Sequence, residues 1–424
     1  MSSFDATVPA AQSGIVAPAG GVVQFRGPAG AFWRLVARGA LLLMVTLGIY
    51  RFWLTTDIRR YLWSNTELAG DSFEYSGTAR ELLLGFLIAI AVLVPLYTAF
   101  FLLALALGSA GEVLSSPIAF LVLTLLGHYA VYRARRYRLT RTIYRGVRFH
   151  QTGSAWRYAV CALIWWTLIV LTLGLAYPFA QARLERFKMR NTFFGNLPGA
   201  FDGSGLRLLL RGFLLWFLAI VPFTVGLVLT FRDIDWSALA AAAGGDDAAS
   251  WLEVSGLADA VVYATLTGSW LLLSFAILYP FFQAMLLRWW ASGLRFGEVA
   301  VTSHLRTAQV FGVYARFLWY AFLFTLVAGA IVIAGWLALH QLTGELDSIR
   351  DEIVTTVAGL AAYVAIALGY STIYQATVRL GLWRCVVESL DLTNLASLER
   401  VSAAGQAASP VGEGLADALS VGGI

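Results

Sequence analysis

The sequence predicts a mainly α, polytopic transmembrane helical bundle, built from internal repeats, with short cytoplasmic β-hairpin elements between helices. Three observations predict this class. Hydrophobic residues make up 59% of the 424 residues and charged residues only 13%, whereas soluble domains carry about 25% charged residues. Several apolar runs reach the roughly 20 residues that a membrane-spanning helix needs. The polar stretches between those runs repeat a similar order of residues.

Six apolar runs are long enough to cross a membrane, and they form three pairs. Each pair is joined by an acidic or neutral loop, at 108–116, 232–257 and 341–352. Such loops carry few Lys or Arg residues, which is typical of the non-cytoplasmic side. The predicted spans are 82–107, 117–132, 206–231, 258–282, 314–339 and 353–378.

Two further apolar runs, 31–53 and 158–179, fit a full crossing less well. If both cross, the Lys and Arg residues divide almost evenly between the two faces. If both enter and leave on one face, all 30 Lys and Arg residues except Arg232 and Arg350 share that face. Because Lys and Arg concentrate on the cytoplasmic side, the sequence favours two re-entrant or interfacial elements with cytoplasmic termini. Two additional spans are the alternative.

Glycine and proline residues within these apolar regions predict helix breaks. A break exposes backbone groups, which membranes tolerate only inside protein or beside a cavity. The alternative is a helix that simply ends at the interface. The predicted break positions are Gly48, Gly174, Pro178 and Pro280.

The repeated polar stretches predict how the helices connect. In each, an apolar helix leaves the bilayer with Tyr and Trp at headgroup level and continues as an Arg-bearing surface helix. A short alternating stretch bounded by Gly follows, such as 73–75, which predicts a strand or hairpin. An isolated hairpin is marginal in water, so we expect successive hairpins to pair into one small sheet. This membrane domain covers 22–401, between tails at 1–21 and 402–424 that are predicted to be disordered.

Two stretches carry the clearest shared motifs, Thr-Leu-Gly followed by an Arg-rich helix and then Asn-Thr, starting at Thr46 and Thr172. With the segment LGLAYPFAQARLERFKMR at 173–190, they resemble the YjgN-type bacterial inner-membrane proteins, over roughly residues 22–400. That family is a domain of unknown function. The resemblance implies a multi-pass protein of the inner membrane, and it supplies no activity, substrate or catalytic residue.

Arginine clusters are the strongest candidate sites. No acidic residue interrupts the run of eight arginines from Arg133 to Arg157, and each basic residue near an anionic membrane gains about 1 kcal/mol. A topology anchor is the alternative interpretation. The candidate contacts for anionic lipid or another anionic ligand are Arg59, Arg60, Arg133, Arg135, Arg136, Arg138, Arg183, Arg186 and Arg288.

The predicted function is that of a non-enzymatic, multi-pass inner-membrane protein whose basic cytoplasmic face contacts anionic lipid. One alternative is a transporter or channel for a small solute, with its site between pseudo-symmetric repeats. Another is a membrane enzyme acting on lipid. The sequence contains no Walker loop, no G-x-S-x-G and no clustered His or Cys ligands, so we predict no catalytic residue, cofactor or metal. The net charge of +5 is attributed to topology rather than to nucleic-acid binding, and the oligomeric state is left open.

Overall fold

The computed structural model describes residues 20–243, 256–343, 348–404 and 417. Within this part of the chain, strands and helices follow the order strand, helix, helix, strand five times. The strands are β1 (Gly20–Phe25), β2 (Thr66–Leu68), β3 (Asp71–Tyr75), β4 (Thr142–Tyr144), β5 (Val147–Gln151), β6 (Thr192–Phe194), β7 (Leu197–Phe201), β8 (Leu294–Phe296), β9 (Val299–Ser303) and β10 (Leu390–Thr393).

The helices lie between these strands, and one short helix, α8, interrupts the fourth pair. They are α1 (Ala29–Val45), α2 (Arg51–Ser64), α3 (Ala79–Ala106), α4 (Gly108–Thr140), α5 (Ala155–Leu171), α6 (Tyr177–Arg190), α7 (Gly205–Arg232), α8 (Trp236–Ala243), α9 (Leu257–Gly293), α10 (Thr307–Thr343), α11 (Ser348–Tyr374) and α12 (Leu380–Val387). A π-helical turn, Gln375–Arg379, joins α11 to α12, and a 3₁₀ helix, Leu395–Arg400, follows β10.

The ten strands form a closed antiparallel barrel. Four two-residue turns build hairpins such as β2–β3, where Leu68 pairs with Asp71. The turn residues Ala69 and Gly70 both have positive φ, as the tight turns that match strand twist require. β1 closes the barrel by pairing with β2 on one side and with β10 on the other. The predicted pairing of hairpins is therefore confirmed, and the small sheet they form is closed rather than open.

The helices form a closed ring beside the barrel. Apart from α8, each helix from α1 to α11 contacts the next one along the chain, and α11 contacts α1. Ring and barrel therefore share one central axis. Since every connection between helix pairs passes through the barrel, the strands gather all these polar segments into one layer.

Among the described residues, six helices are long and apolar enough to cross a membrane, in agreement with the predicted spans. They are α3, α4 from Ser115, α7, α9, α10 up to Leu339, and the stretch Glu352–Val387. Large apolar side chains on them are exposed, for example Leu105 at 72% and Leu272 at 73%. An apolar surface of this extent is unfavourable in water, so these helices are suited to lipid.

Helices α1 and α2 form a hairpin that begins and ends at the barrel, because β1 before it pairs with β2 after it. Helices α5 and α6 do the same between β5 and β6. The two tips have matching geometry: Gly48 has φ +90° and Gly174 has φ +92°. In each, the Thr two residues earlier accepts a backbone N–H with its hydroxyl. Both glycines therefore lie where a helix ends and the chain reverses.

Other expectations need correction. The helix α9 runs unbroken through Pro280, because a proline inside a long helix can kink it without ending it. Pro178 occupies the first turn of α6, where the missing N–H is not needed. The predicted loop 108–116 is helical, since α4 begins at Gly108. The predicted tails lie mostly outside the described residues, but Gly20 and Gly21 belong to β1, and Asp417 is buried in the interior.

Candidate functional site

Basic side chains reach the interior from the ends of α2, α4 and α6, just before each helix gives way to a strand. In each of these helices, consider the residues seven and four positions before the first residue of the following strand. These two residues are three positions apart, so they lie on the same face of the helix. In these helices that face points inward, and the π-helical turn contributes one more arginine. This set, named here the basic chamber, consists of Arg59, Arg135, Arg138, Lys188 and Arg379 with Glu185 and Asp417.

Asp417 lies among the arginines of the basic chamber. Its carboxylate accepts hydrogen bonds from both terminal nitrogens of Arg59, with Nη2 3.0 Å from Oδ1. The Nε of Arg138 is 3.6 Å from the same oxygen. Arg59 also donates to the Tyr75 hydroxyl at 3.0 Å. Burial by itself lowers the pKa of Arg59, but the charges of Asp417 and Tyr75 outweigh burial and raise that pKa above its ordinary value.

Arg379 brings a third guanidinium to this carboxylate. It interacts electrostatically with Arg59, Arg138 and Asp417. Its Nη1 donates to Gln375 Oε1 at 2.9 Å, while its Nε is buried and lacks a hydrogen-bond partner among the described residues. Arg379 ends a π-helical turn, a feature frequent at functional sites.

Glu185 supplies the second carboxylate, from α6. It accepts a hydrogen bond from the ammonium of Lys188. Arg135 donates to Gln151 Oε1 at 2.9 Å and to Thr192 Oγ1 at 2.8 Å. Since both of these partners are neutral, Glu185 is the carboxylate that stabilises the charge of Arg135. Burial lowers the pKa of Lys188, Glu185 opposes that shift, and Arg135 adds to it.

The basic chamber holds more cations than carboxylates among the described residues. Removing an ion from water costs several kcal/mol, and only a close counter-charge recovers that cost. Within the described part of the chain, Asp417 is the carboxylate that acts on Arg59, Arg138 and Arg379. Guanidinium groups bind carboxylates and phosphates through two parallel hydrogen bonds. The arrangement is therefore suited to an anion, and a phosphate group matches both its charge and its donor geometry.

Two threonine hydroxyls lie where the chain passes from a helix of the basic chamber into a barrel strand. The indole of Trp63 donates to Thr142 Oγ1 at 3.0 Å, and that of Trp383 donates to Thr66 Oγ1 at 3.1 Å. The two indole rings stack with their centroids 5.0 Å apart. These four side chains also line the barrel lumen, where they add polar groups to an otherwise apolar lining.

The barrel lumen contains a cavity of about 350 Å³, within the size range of small-ligand sites. Apolar side chains from the strands line it, including Tyr144, Phe194 and Phe296. Leu398 of the 3₁₀ helix also lines the cavity. The next residues reach the β6–β7 turn, where Ser402 and Asn196 exchange hydrogen bonds at 3.1 and 3.2 Å.

A second set of arginines binds the backbone that follows each barrel hairpin. Four of them donate to the carbonyl of the residue 17 positions later in the chain. This contact fixes the end of one helix pair against the start of the next. The pairs are Arg60 with Gly77, Arg136 with Gly153, Arg186 with Gly203 and Arg288 with Leu305.

The nine predicted arginines thus divide by direction. Three enter the basic chamber, four make the backbone contacts just described, and two remain. Arg133 lies over the Tyr129 ring at 5.8 Å, and Arg183 is exposed. Sequence reasoning missed the chamber roles of Glu185, Lys188, Arg379 and Asp417. Counting back seven and four residues from the Thr that begins β6 would have found Glu185 and Lys188; nothing comparable marks the other two.

At membrane level, a groove of about 460 Å³ lies between the α5–α6 hairpin and helices α7 and α9. Its lining is almost wholly apolar, with residues such as Leu175, Phe223 and Leu278. A charged solute would find few partners there, whereas a hydrocarbon chain would be well accommodated.

Comparison with known proteins gives a match to a family model. A family model described as a bacterial protein of unknown function matches residues 21–418. Neither the curated proteins nor the solved structures contain a match. The matched range includes every strand of the barrel except the first residue of β1, and it includes every residue of the basic chamber.

Proposed function

The chain belongs to this family of bacterial proteins of unknown function (DUF898), and from that premise we propose that it binds the phosphate headgroup of an anionic lipid in the basic chamber. One observation carries the proposal: Arg59 and Arg138 contact the buried carboxylate of Asp417, and Arg379 interacts electrostatically with all three groups. No step of this function requires catalysis, so the protein acts as a non-enzymatic binder.

Lipid is favoured over a free anion because the two cavities described above are apolar. The groove at membrane level and the barrel lumen offer about 460 and 350 Å³ lined almost entirely by apolar side chains. An amphiphile places its charged group among guanidinium groups and its chain against apolar surface. The transporter alternative draws on the shared axis of ring and barrel, along which an inorganic anion would travel.

For the membrane arrangement, we propose that the barrel lies on the cytoplasmic side of the inner membrane. The α1–α2 and α5–α6 hairpins then enter and leave from that side. Their ends at the barrel support this view, as does the concentration of Lys and Arg in the same layer. We further propose that the five strand–helix–helix–strand stretches are internal repeats, supported by the recurring 17-residue arginine contacts.

Cysteine accessibility tests this arrangement in a chain whose two native cysteines are replaced by Ala. We expect Ser64→Cys and Asn196→Cys to react with a membrane-impermeant maleimide only from the cytoplasmic side. Gly245→Cys should react from the periplasmic side. Leu47→Cys, at a hairpin tip, should react poorly from both sides. Labelling of Leu47→Cys from the periplasm in intact cells would instead establish two additional spans.

Lipid binding tests the proposed function directly. We expect the detergent-purified protein to be stabilised by dihexanoyl phosphatidylglycerol and little affected by the zwitterionic choline analogue. Arg59→Gln should weaken binding of the anionic lipid on the order of tenfold, since charge-assisted bonds contribute about 1.5–3 kcal/mol each. Titration by calorimetry or by the shift in melting temperature provides the measurement.

The matched control is Arg400→Gln, which removes the same charge from a side chain that is 79% exposed. It should bind anionic lipid as the unmodified protein does. Equal losses in Arg59→Gln and Arg400→Gln would show that general surface charge, and not the basic chamber, governs binding. Strong binding of inorganic phosphate with no preference for lipid would favour the transporter alternative.

A further inference from the structure

The most unusual member of the basic chamber is Asp417, which comes from near the C-terminus. The described chain reaches the β6–β7 turn at Ser402, on the barrel. Fifteen residues later, Asp417 is 3% exposed and bound to Arg59 and Arg138 on the helix side. The other carboxylate of the chamber, Glu185, is fixed within α6. The two carboxylates therefore differ: Glu185 is part of a helix of the ring, whereas Asp417 belongs to none of the helices and strands that form the ring and the barrel.

The contacts of Asp417 are those that a bound anion would make. Its two oxygens accept hydrogen bonds from the two terminal nitrogens of Arg59, the paired geometry by which guanidinium groups hold carboxylate and phosphate alike. Its charge also acts on Arg138 and Arg379. Removing this carboxylate would leave the three guanidinium groups repelling one another, unless another anion took its place.

We infer that the C-terminal segment bearing Asp417 is a tethered ligand of the basic chamber, which competes with the anionic headgroup for Arg59, Arg138 and Arg379. This inference rests on the proposed function and adds its regulation. Because Asp417 occupies the chamber for part of the time, the apparent affinity for the headgroup equals the intrinsic affinity multiplied by the fraction of time that the chamber is free. A membrane rich in anionic lipid displaces Asp417 from the chamber. The content of anionic lipid therefore determines whether this segment is bound or released.

The test compares full-length variants titrated with dihexanoyl phosphatidylglycerol and, separately, with inorganic phosphate. Asp417→Asn keeps the side-chain shape and removes the competing charge. We expect it to bind the anionic lipid about tenfold more tightly than the unmodified protein, as for a competitor that occupies the site roughly nine-tenths of the time. Glu413→Gln, which removes one charge from the same chain end, should leave the affinity unchanged. In an Arg59→Gln background, Asp417→Asn should give little further gain.

Cleavage after Glu413 by a glutamate-specific protease offers a second measurement that does not depend on affinity. Addition of the anionic lipid should accelerate cleavage of the unmodified protein, and Asp417→Asn should be cleaved quickly without lipid. Equal lipid affinity of the unmodified protein and Asp417→Asn, with cleavage insensitive to lipid, would overturn the tethered-ligand inference and leave the proposed function standing. If neither the unmodified protein nor Asp417→Asn bound lipid or phosphate, both the proposed function and the tethered-ligand inference would be wrong.

Discussion

Replacing Glu185 with Gln is expected to lower the free energy of unfolding by about 3–5 kcal/mol, the range observed when one partner of a buried ion pair is removed. The ammonium of Lys188 loses the carboxylate that it contacts, and Arg135 loses the carboxylate that stabilises its charge. Gln keeps the side-chain volume and can still accept the hydrogen bond from Trp290. In the unmodified protein, the Trp290 indole donates this bond to Glu185 Oε2 at 3.3 Å. The loss is therefore attributable to charge.

Chemical denaturation in detergent micelles measures this loss, with Glu67→Gln as the control. Glu67 pairs with Arg26 at 3.0 Å, but 64% of the Arg26 side chain is exposed. Ion pairs in water contribute about 0–1 kcal/mol, so the control should unfold almost as the unmodified protein does. Similar losses in both variants would mean that the interior around Glu185 is well hydrated.

Truncating Phe194 to Ala is expected to cost about 3–5 kcal/mol, as for other large aromatic side chains buried in a core. Phe194 is 4% exposed, and its ring lies 4.6 Å from that of Phe149 and 6.1 Å from that of Tyr144. These rings line the barrel lumen. The truncation enlarges the cavity that these rings already line, and the cost of a core truncation grows with the cavity left behind.

The adjacent residue offers a matched control. Phe193 is on the opposite face of β6, half-buried, where it stacks on His150 at 5.2 Å. Phe193→Ala removes the same number of atoms from outside the lumen and should cost roughly 1 kcal/mol or less, in proportion to the smaller area it buries. A larger loss for Phe193→Ala than for Phe194→Ala would contradict an apolar lumen as the core of the barrel.

The helices and hairpins were predictable because their signals are local. One uninterrupted apolar run predicts a membrane span. Alternating apolar and polar residues on either side of a Gly such as Gly70 predict a hairpin. Closure of the barrel is not local, because it depends on Gly20 pairing with Thr393. No periodicity in either segment specifies the other. The same limit explains why a small sheet was predicted and a barrel was found.

For the basic chamber, the sequence identified arginine-rich helices and could not assign directions to single residues. Arg59 and Arg60 are neighbours, yet Arg59 points to the interior and Arg60 to the backbone at Gly77. The direction of each side chain depends on its position around the axis of α2. That position is set by its distance along the chain from the start of β2. Asp417 was beyond reach, since a segment rich in Ala, Gly and Ser carries no signal that it would enter a protein core.

Five strand–helix–helix–strand stretches arranged around one axis make an odd-numbered ring. Transporters that alternate between inward- and outward-facing states rock one half against a matching half, and an odd-numbered ring has no plane that separates it into equivalent halves. A closed circuit of ladder hydrogen bonds would also have to break at two seams for such a motion. A closed ring of this kind therefore disfavours a rocking motion of two halves, because that motion would interrupt the continuous wall of the barrel.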